Sequence, residues 1–128
     1  MLAYAIILNN KQMKKQLLFG FLFLATFSLM AQKKDIQKTQ FEVKGVCGMC
    51  KARIEKTAFA LKGVKSAQWD IPSHQFMVLY DANKVALDSI HAAIARAGHD
   101  TPLATAPDAV YDQLPMCCLY TREEKKDN

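Results

Sequence analysis

The chain has 128 residues, of which 51% are apolar, so it is long enough for one domain with a hydrophobic core and too apolar for a disordered chain. Its formal net charge is +5, but residues 1–31 contain three lysines and no acidic residue, which leaves 14 basic and 12 acidic residues, or +2, from Gln32 onward. Because +2 does not provide a concentrated basic surface, we expect no nucleic-acid partner.

Residues 1–31 are predicted to be a signal peptide for export. Two lysines precede an apolar run over 17–30, and Ala31 supplies the small residue of a cleavage site. A single N-terminal membrane anchor is the alternative, although the run is short against the roughly 20 residues that a membrane span needs. The signal is complete from Met13, so we expect the true start of the protein there. This interpretation predicts a periplasmic mature protein.

The mature part of the chain is predicted to contain six elements after a flexible lead-in over 32–39. Alternating apolar side chains indicate strands, and apolar side chains every three to four residues indicate helices. Gly63 and Gly98 are positioned to end the two helices. The predicted elements are a strand over 39–43, a helix over 51–61, strands over 64–70 and 76–80, a helix over 86–97 and a short strand over 101–105.

This order predicts an α+β fold of the ferredoxin-like βαββαβ type, with a four-stranded antiparallel sheet and two helices on one face. Residues 40–105 fit this unit, and residues 106–128 follow it as a tail that contains two adjacent cysteines. A core of this size is small, so a bound metal would help to stabilise it.

Cys47 and Cys50 form a C-x-x-C motif where the first strand leads into the first helix. The N–H groups and the dipole at a helix N-terminus stabilise negative charge, which lowers the pKa of a thiol there. Two thiolates at this spacing can bind one soft ion, and thiolates prefer Cu(I) and Zn(II) to harder cations. The motif therefore predicts a soft-metal site.

Two other interpretations of the motif remain open. An oxidising compartment favours a disulfide between the two cysteines. A thiol-disulfide oxidoreductase of the thioredoxin type also uses C-x-x-C. That fold requires more chain and more strands before the motif, with an aromatic residue directly ahead of it, whereas Val46 stands at that position here.

The stretch FEVKGVCGMCKARIEKTAFALKGVKSAQWD, together with VLYD and IARAGHDT, resembles heavy-metal-associated domains, which are small metallochaperones and transporter modules. The family motif is Gly-Met-x-Cys-x-x-Cys, followed by a Gly-Val pair that Gly63 and Val64 match. The two motif cysteines correspond to Cys47 and Cys50. The sequence departs from the motif at Lys44 and Gly45, where the family usually has Gly and Met, so we expect altered packing of this loop.

The resemblance and the topology add three candidate ligands. His99 occupies a position beside the metal where some relatives carry a third ligand, and it is expected at the same end of the sheet as the C-x-x-C motif. Cys117 and Cys118 can return to that end because the intervening chain is long enough, so we expect them to join the site, form a second one or pair between chains. His74 and His91 are weaker candidates, expected in a solvated turn and on a helix surface.

The sequence thus predicts an exported protein that is not an enzyme. It is expected to bind Cu(I) through Cys47, Cys50, Cys117, Cys118 and His99, and to pass the ion on by exchange of thiolates. Zinc and mercury are the alternative metals, and a mercury scavenger or a thiol-disulfide oxidoreductase is the alternative function. Expected partners are the metal ion itself and an acidic partner protein or a membrane metal transporter.

Overall fold

The computed structural model describes residues 33–122. The predicted signal peptide over 1–31, the start at Met13 and the last six residues of the tail lie outside the described residues. Within the described part of the chain, no helix is long and apolar enough to cross a membrane.

The described residues form three strands, three α-helices and one 3-10 turn. The two longer helices and the three strands lie close to their predicted positions, which confirms the α+β class. The first strand begins at Ile36, so part of the segment that we assigned to the lead-in is strand. The elements are β1 (Ile36–Glu42), α1 (Gly48–Phe59), β2 (Val64–Trp69), β3 (Gln75–Asp81), α2 (Leu87–Arg96), α3 (Asp108–Tyr111) and the 3-10 turn (Met116–Cys118).

The sheet is antiparallel with the order β1-β3-β2. Alternate residues of β3 are buried, namely Phe76, Val78 and Tyr80, because successive side chains of a strand point to opposite faces. They belong to the same core as Ile54 of α1 and Ile94 of α2. The helical spacing of apolar residues in the sequence therefore identified the buried helix faces correctly.

The predicted fourth strand over 101–105 was wrong, and the described sheet has three strands instead of four. The backbone N–H of Thr101 donates to the carbonyl of Ala104 at 2.8 Å, and the Thr101 hydroxyl donates to the same carbonyl at 3.1 Å. These bonds close a local turn, and Pro102 has no N–H to offer to a strand partner. One backbone bond, from Lys44 N to the Asp100 carbonyl at 2.9 Å, connects this segment to the loop after β1.

The tail packs onto the core through buried side chains. Leu114, Cys118 and Tyr120 are each no more than 6% exposed. Leu114 lies against Gly98, where a Cβ atom would come within 2.8 Å of it. The Tyr120 hydroxyl donates to the Gly98 carbonyl and accepts from the Asp100 N–H, both at 2.9 Å. The tail is thereby fixed to the loop that follows α2.

Candidate metal centre

Cys47 and Cys50 are held by the first turn of α1. Cys47 is the N-cap residue, and Cys50 lies inside the first turn with no exposed surface. Their Sγ atoms are 3.6 Å apart, well beyond the roughly 2.05 Å of a disulfide bond. The backbone N–H of Val46 donates to the Cys50 sulfur at 3.5 Å. Both sulfurs thus lie at the electropositive end of the helix, as the motif predicted.

The loop before α1 is shaped by Gly45, which stands where the family motif usually has Met. A Cβ atom at Gly45 would come within 3.0 Å of the Trp69 indole and 3.1 Å of the Cys50 Cβ. Trp69 is fully buried, and its Nε1 donates to the carbonyls of Val43 and His74, each at 3.1 Å. The indole therefore fills the space beside the motif that a larger side chain at position 45 would need.

Cys118 reaches the motif from the 3-10 turn of the tail. Its backbone N–H donates to the Pro115 carbonyl at 2.7 Å, which tightens the turn. The side chain is fully buried, and its Sγ lies 3.7 Å from that of Cys47. The sulfurs of Cys47, Cys50 and Cys118 all lie within 4.8 Å of one another. We call these three residues the three-thiol group.

The thiols of this region differ in their readiness to ionise. The backbone N–H of Cys50 lowers the pKa of the Cys47 thiol to about 7, since a partial positive charge favours the thiolate. Burial raises the pKa of Cys118, and its contact with Cys50 raises it further. Of these two thiols, Cys47 therefore loses its proton more readily than Cys118. The buried Cys118 gives up its proton only when a cation compensates the charge.

Cys117 is not part of the three-thiol group. It is exposed, and its Sγ lies 3.4 Å from the Sδ of Met49, which is 53% exposed. Interaction with the Cys47 thiol raises the pKa of Cys117. The structure thus separates the two adjacent cysteines of the tail, with one sulfur buried among the motif thiols and the other at the surface.

His99 is also outside the group, although it is completely buried. Its Nδ1 lies 2.8 Å from the Lys44 carbonyl, and its ring stacks on Tyr120 with 5.9 Å between ring centroids. Burial lowers the pKa of His99, so the neutral ring is favoured. Its Nε2 has no hydrogen-bond partner among the described residues. His99 connects the loop before α1 to the tail, and its role as a ligand stays a prediction.

The two weaker histidine candidates are not part of the three-thiol group. His74 stacks on Trp69 with a centroid distance of 5.8 Å, and His91 stacks on Phe41 at 3.8 Å. His91 is 2% exposed, so the expectation of a surface residue was wrong. His91 lies in the middle of α2, and nothing in the sequence around it predicts that Phe41 of β1 covers its ring.

Two residues that matter for the site, Met49 and Arg122, were not identified from the sequence. Met49 supplies a thioether beside Cys117, and its only sequence signal is a soft sulfur inside the motif. Arg122 forms a two-point ion pair with Asp100, at 2.9 Å from Nε and 2.9 Å from Nη2. It also lies over the Tyr111 ring at 4.6 Å. These contacts fix the end of the tail and hence the position of Cys118.

Comparison with known proteins indicates one family. The family model described as heavy-metal-associated domain matches residues 40–100. The chain is similar to copper chaperone CopZ of Staphylococcus aureus (strain bovine RF122 / ET3-1), with 37% identity over 54 residues that cover 42% of this chain and 79% of that protein. A solved structure of a CopZ metallochaperone is 33% identical with a TM-score of 0.50, covering 51% of this chain and 98% of that one.

A third relative is much longer than the chain. It is a copper-exporting P-type ATPase of Staphylococcus haemolyticus (strain JCSC1435), which is 30% identical over 79 residues. The match covers 61% of this chain and 10% of the ATPase. The chain therefore spans most of the small chaperone and a tenth of the transporter.

Proposed function

The chain belongs to the heavy-metal-associated domain family, and from this premise we propose that it binds Cu(I) as cargo and passes the ion to another protein. The observation that supports this function best is the three-thiol group, in which the sulfurs of Cys47, Cys50 and Cys118 lie within 4.8 Å of one another. A relative with 37% identity is named a copper chaperone. Nothing in this function requires the chain to be an enzyme.

The donor set favours Cu(I) among the three metals considered. Soft thiolate ligands select Cu(I) and Zn(II) over hard cations. Structural zinc sites almost always have four ligands, whereas the group among the described residues contains three sulfurs and no nitrogen or oxygen. A soft mercury ion could use the same sulfurs, so direct competition between mercury and copper decides between those two.

Transfer is proposed to proceed by exchange of thiolates. An incoming thiolate of a partner forms a bond to the bound Cu(I), after which one of the sulfurs of this chain leaves and takes up a proton. Copper keeps its charge throughout, so no oxidant or reductant is needed. Cys47 is half-buried while Cys50 and Cys118 are fully buried, which makes Cys47 the sulfur that a partner meets.

The receiving partner is proposed to be a membrane metal transporter. This is supported by the similarity to part of a protein named a copper-exporting P-type ATPase. An acidic partner protein is the second expectation. It has less support because Lys44 pairs with Glu42 and Lys51 pairs with Glu55, which reduces the net positive charge beside the site.

Export is proposed on the basis of the sequence of residues 1–31 and the cysteine content. The full chain should be expressed in a Gram-negative host, and the mass of the protein in the periplasmic fraction should be measured. We expect a mature protein that begins at Gln32. Recovery of an uncleaved chain from the cytoplasm would contradict this part of the proposal.

Copper binding is tested by anaerobic competition with a coloured Cu(I) chelator. We expect one tightly bound Cu(I) per reduced chain, loss of tight binding in Cys50→Ser and weaker binding in Cys118→Ser. Met116→Leu is the matched control, because this side chain is 90% exposed in the same tail turn as Cys118. A reduced chain that binds no Cu(I), or that catalyses disulfide exchange on a model substrate, would contradict the proposed function.

A further inference from the structure

A pair of soft sulfurs lies at the protein surface beside the three-thiol group. The Sγ of Cys117 and the Sδ of Met49 are 3.4 Å apart. Both side chains are exposed. We call Cys117 and Met49 the surface sulfur pair.

The backbone ties this pair to the buried ligands from two directions. Met49 stands between Cys47 and Cys50 in the first turn of α1, and Cys117 directly precedes Cys118 in the 3-10 turn. The Cys117 thiol also interacts with that of Cys47. Each residue of the surface sulfur pair is thus adjacent in the chain to a buried sulfur of the three-thiol group, Met49 to Cys50 and Cys117 to Cys118.

We propose that the surface sulfur pair is the loading site for the metal, at which a soft monovalent ion such as Cu(I) first binds before it passes through Cys47 to the three-thiol group. This inference rests on the proposed function. It adds two residues, Met49 and Cys117, that act on the rate of loading and not on the stability of the loaded state.

The chemistry of each step is ligand exchange without oxidation. Cu(I) leaves its donor and forms bonds to the Met49 thioether and the Cys117 sulfur, whose proton goes to water. The Cys47 thiolate then forms a bond to the ion, and the bonds to Met49 and Cys117 break, so that Cys117 takes up a proton again. Bonds to Cys50 and Cys118 complete the transfer, and their two protons go to water.

The surface sulfur pair offers a donor protein two exposed sulfurs in addition to the half-buried sulfur of Cys47. Two of the three final ligands, Cys50 and Cys118, have no exposed surface, so a donor protein cannot approach them directly. A thioether is neutral and binds soft ions weakly, which allows the ion to leave again. It also discriminates against Zn(II), because zinc sites in proteins are built from thiolate, imidazole and carboxylate ligands.

The test measures loading rate and equilibrium binding separately on the reduced full chain. Cu(I) is offered as its complex with a bidentate chelator, and the loss of that complex is followed by stopped-flow absorbance. Cys117→Ser and Met49→Leu are each expected to load about tenfold more slowly, as for the loss of one weak contact in the transition state. Their equilibrium affinity for Cu(I) should equal that of the unaltered chain.

Met116→Leu is the matched control, since it removes an exposed thioether from the same turn as Cys117 and should leave the rate unchanged. Unchanged rates in both Cys117→Ser and Met49→Leu would overturn the proposal. A loss of equilibrium affinity in Cys117→Ser would also overturn it, because Cys117 would then be a permanent ligand. Failure of the proposed function is seen separately, as the absence of equilibrium loading in the unaltered chain.

Discussion

Gly45 shows how one small residue adapts the family motif to this chain. The space that a side chain would need is taken by the Trp69 indole and the Cys50 Cβ, at 3.0 and 3.1 Å from an added Cβ. The sequence alone indicated only that Gly45 departs from the family motif. Trp69 of β2 fills this space through a contact with the loop before α1. A local sequence pattern cannot predict a contact between segments so far apart in the chain.

Replacement of Gly45 by Ala is expected to lower the free energy of unfolding by about 1–3 kcal/mol, since a close-packed site must shift to admit the methyl group. Urea denaturation of the reduced protein measures this change. Gly48→Ala is the control, because an added Cβ at Gly48 meets nothing within 4 Å. It is expected to be neutral or slightly stabilising within α1. Equal destabilisation by both substitutions would contradict the packing argument.

The two accessible cysteines are expected to differ in their reaction with iodoacetamide. The pKa of Cys47 is lowered to about 7 by the Cys50 N–H, so its thiolate fraction rises as the pH passes through 7 and is small at pH 5. The pKa of Cys117 is raised, so this exposed thiol should react only at more alkaline pH. Peptide mapping after timed alkylation from pH 5 to 9 measures both. Faster modification of Cys117 than of Cys47 at pH 7 would contradict the assigned shifts.

At the scale of elements, the tail turn is positioned by the contacts of Arg122. The guanidinium bonds to both carboxylate oxygens of Asp100 and donates to the Ala106 carbonyl at 2.6 Å. The Arg122 and Asp100 side chains are 17% and 20% exposed. These bonds join residues 22 and 16 positions apart, so no helical or strand periodicity in the sequence could predict them.

Arg122→Ala is expected to destabilise the protein by about 1–3 kcal/mol, because it leaves a shielded carboxylate without its charged partner. It should also weaken Cu(I) binding, since Cys118 loses its support. Glu42→Gln is the control, as it breaks an ion pair whose side chains are both 45% exposed. That pair should contribute at most about 1 kcal/mol. Thermal unfolding and chelator competition measure the two effects, and identical behaviour of both variants would contradict a positioning role for Arg122.

The elements that the sequence predicted well are those governed by local rules. Ile54 and Ala58 recur at helical spacing on α1, and Ile90 and Ile94 do so on α2. Gly98, with a φ angle of 105°, directly follows the C-cap of α2, as predicted. Gly63, with a φ angle of 118°, instead lies in the turn before β2, because α1 already ends at Phe59. The fourth strand failed because the short segment over 101–105 closes a local turn, and its Pro102 opposes strand pairing.

At the scale of the whole molecule, the tail converts a two-cysteine motif into a three-sulfur group. The sequence indicated that Cys117 and Cys118 could reach the motif but left open which of them would do so. That choice is made by packing, because Leu114 and Tyr120 are buried on either side of the turn in the chain and Cys118 is buried with them. His99, whose role as a ligand stays a prediction, stacks on Tyr120, and its Nδ1 lies 2.8 Å from the Lys44 carbonyl.

X-ray absorption at the copper edge of the Cu(I)-loaded protein counts the sulfur ligands of the bound ion. We expect three sulfur ligands in the unaltered chain, from Cys47, Cys50 and Cys118, and two in Cys118→Ser. Cys117→Ser should retain three, because that thiol lies outside the group. Two sulfur ligands in both the unaltered chain and Cys118→Ser would contradict the account, since copper would then be held by the C-x-x-C motif alone.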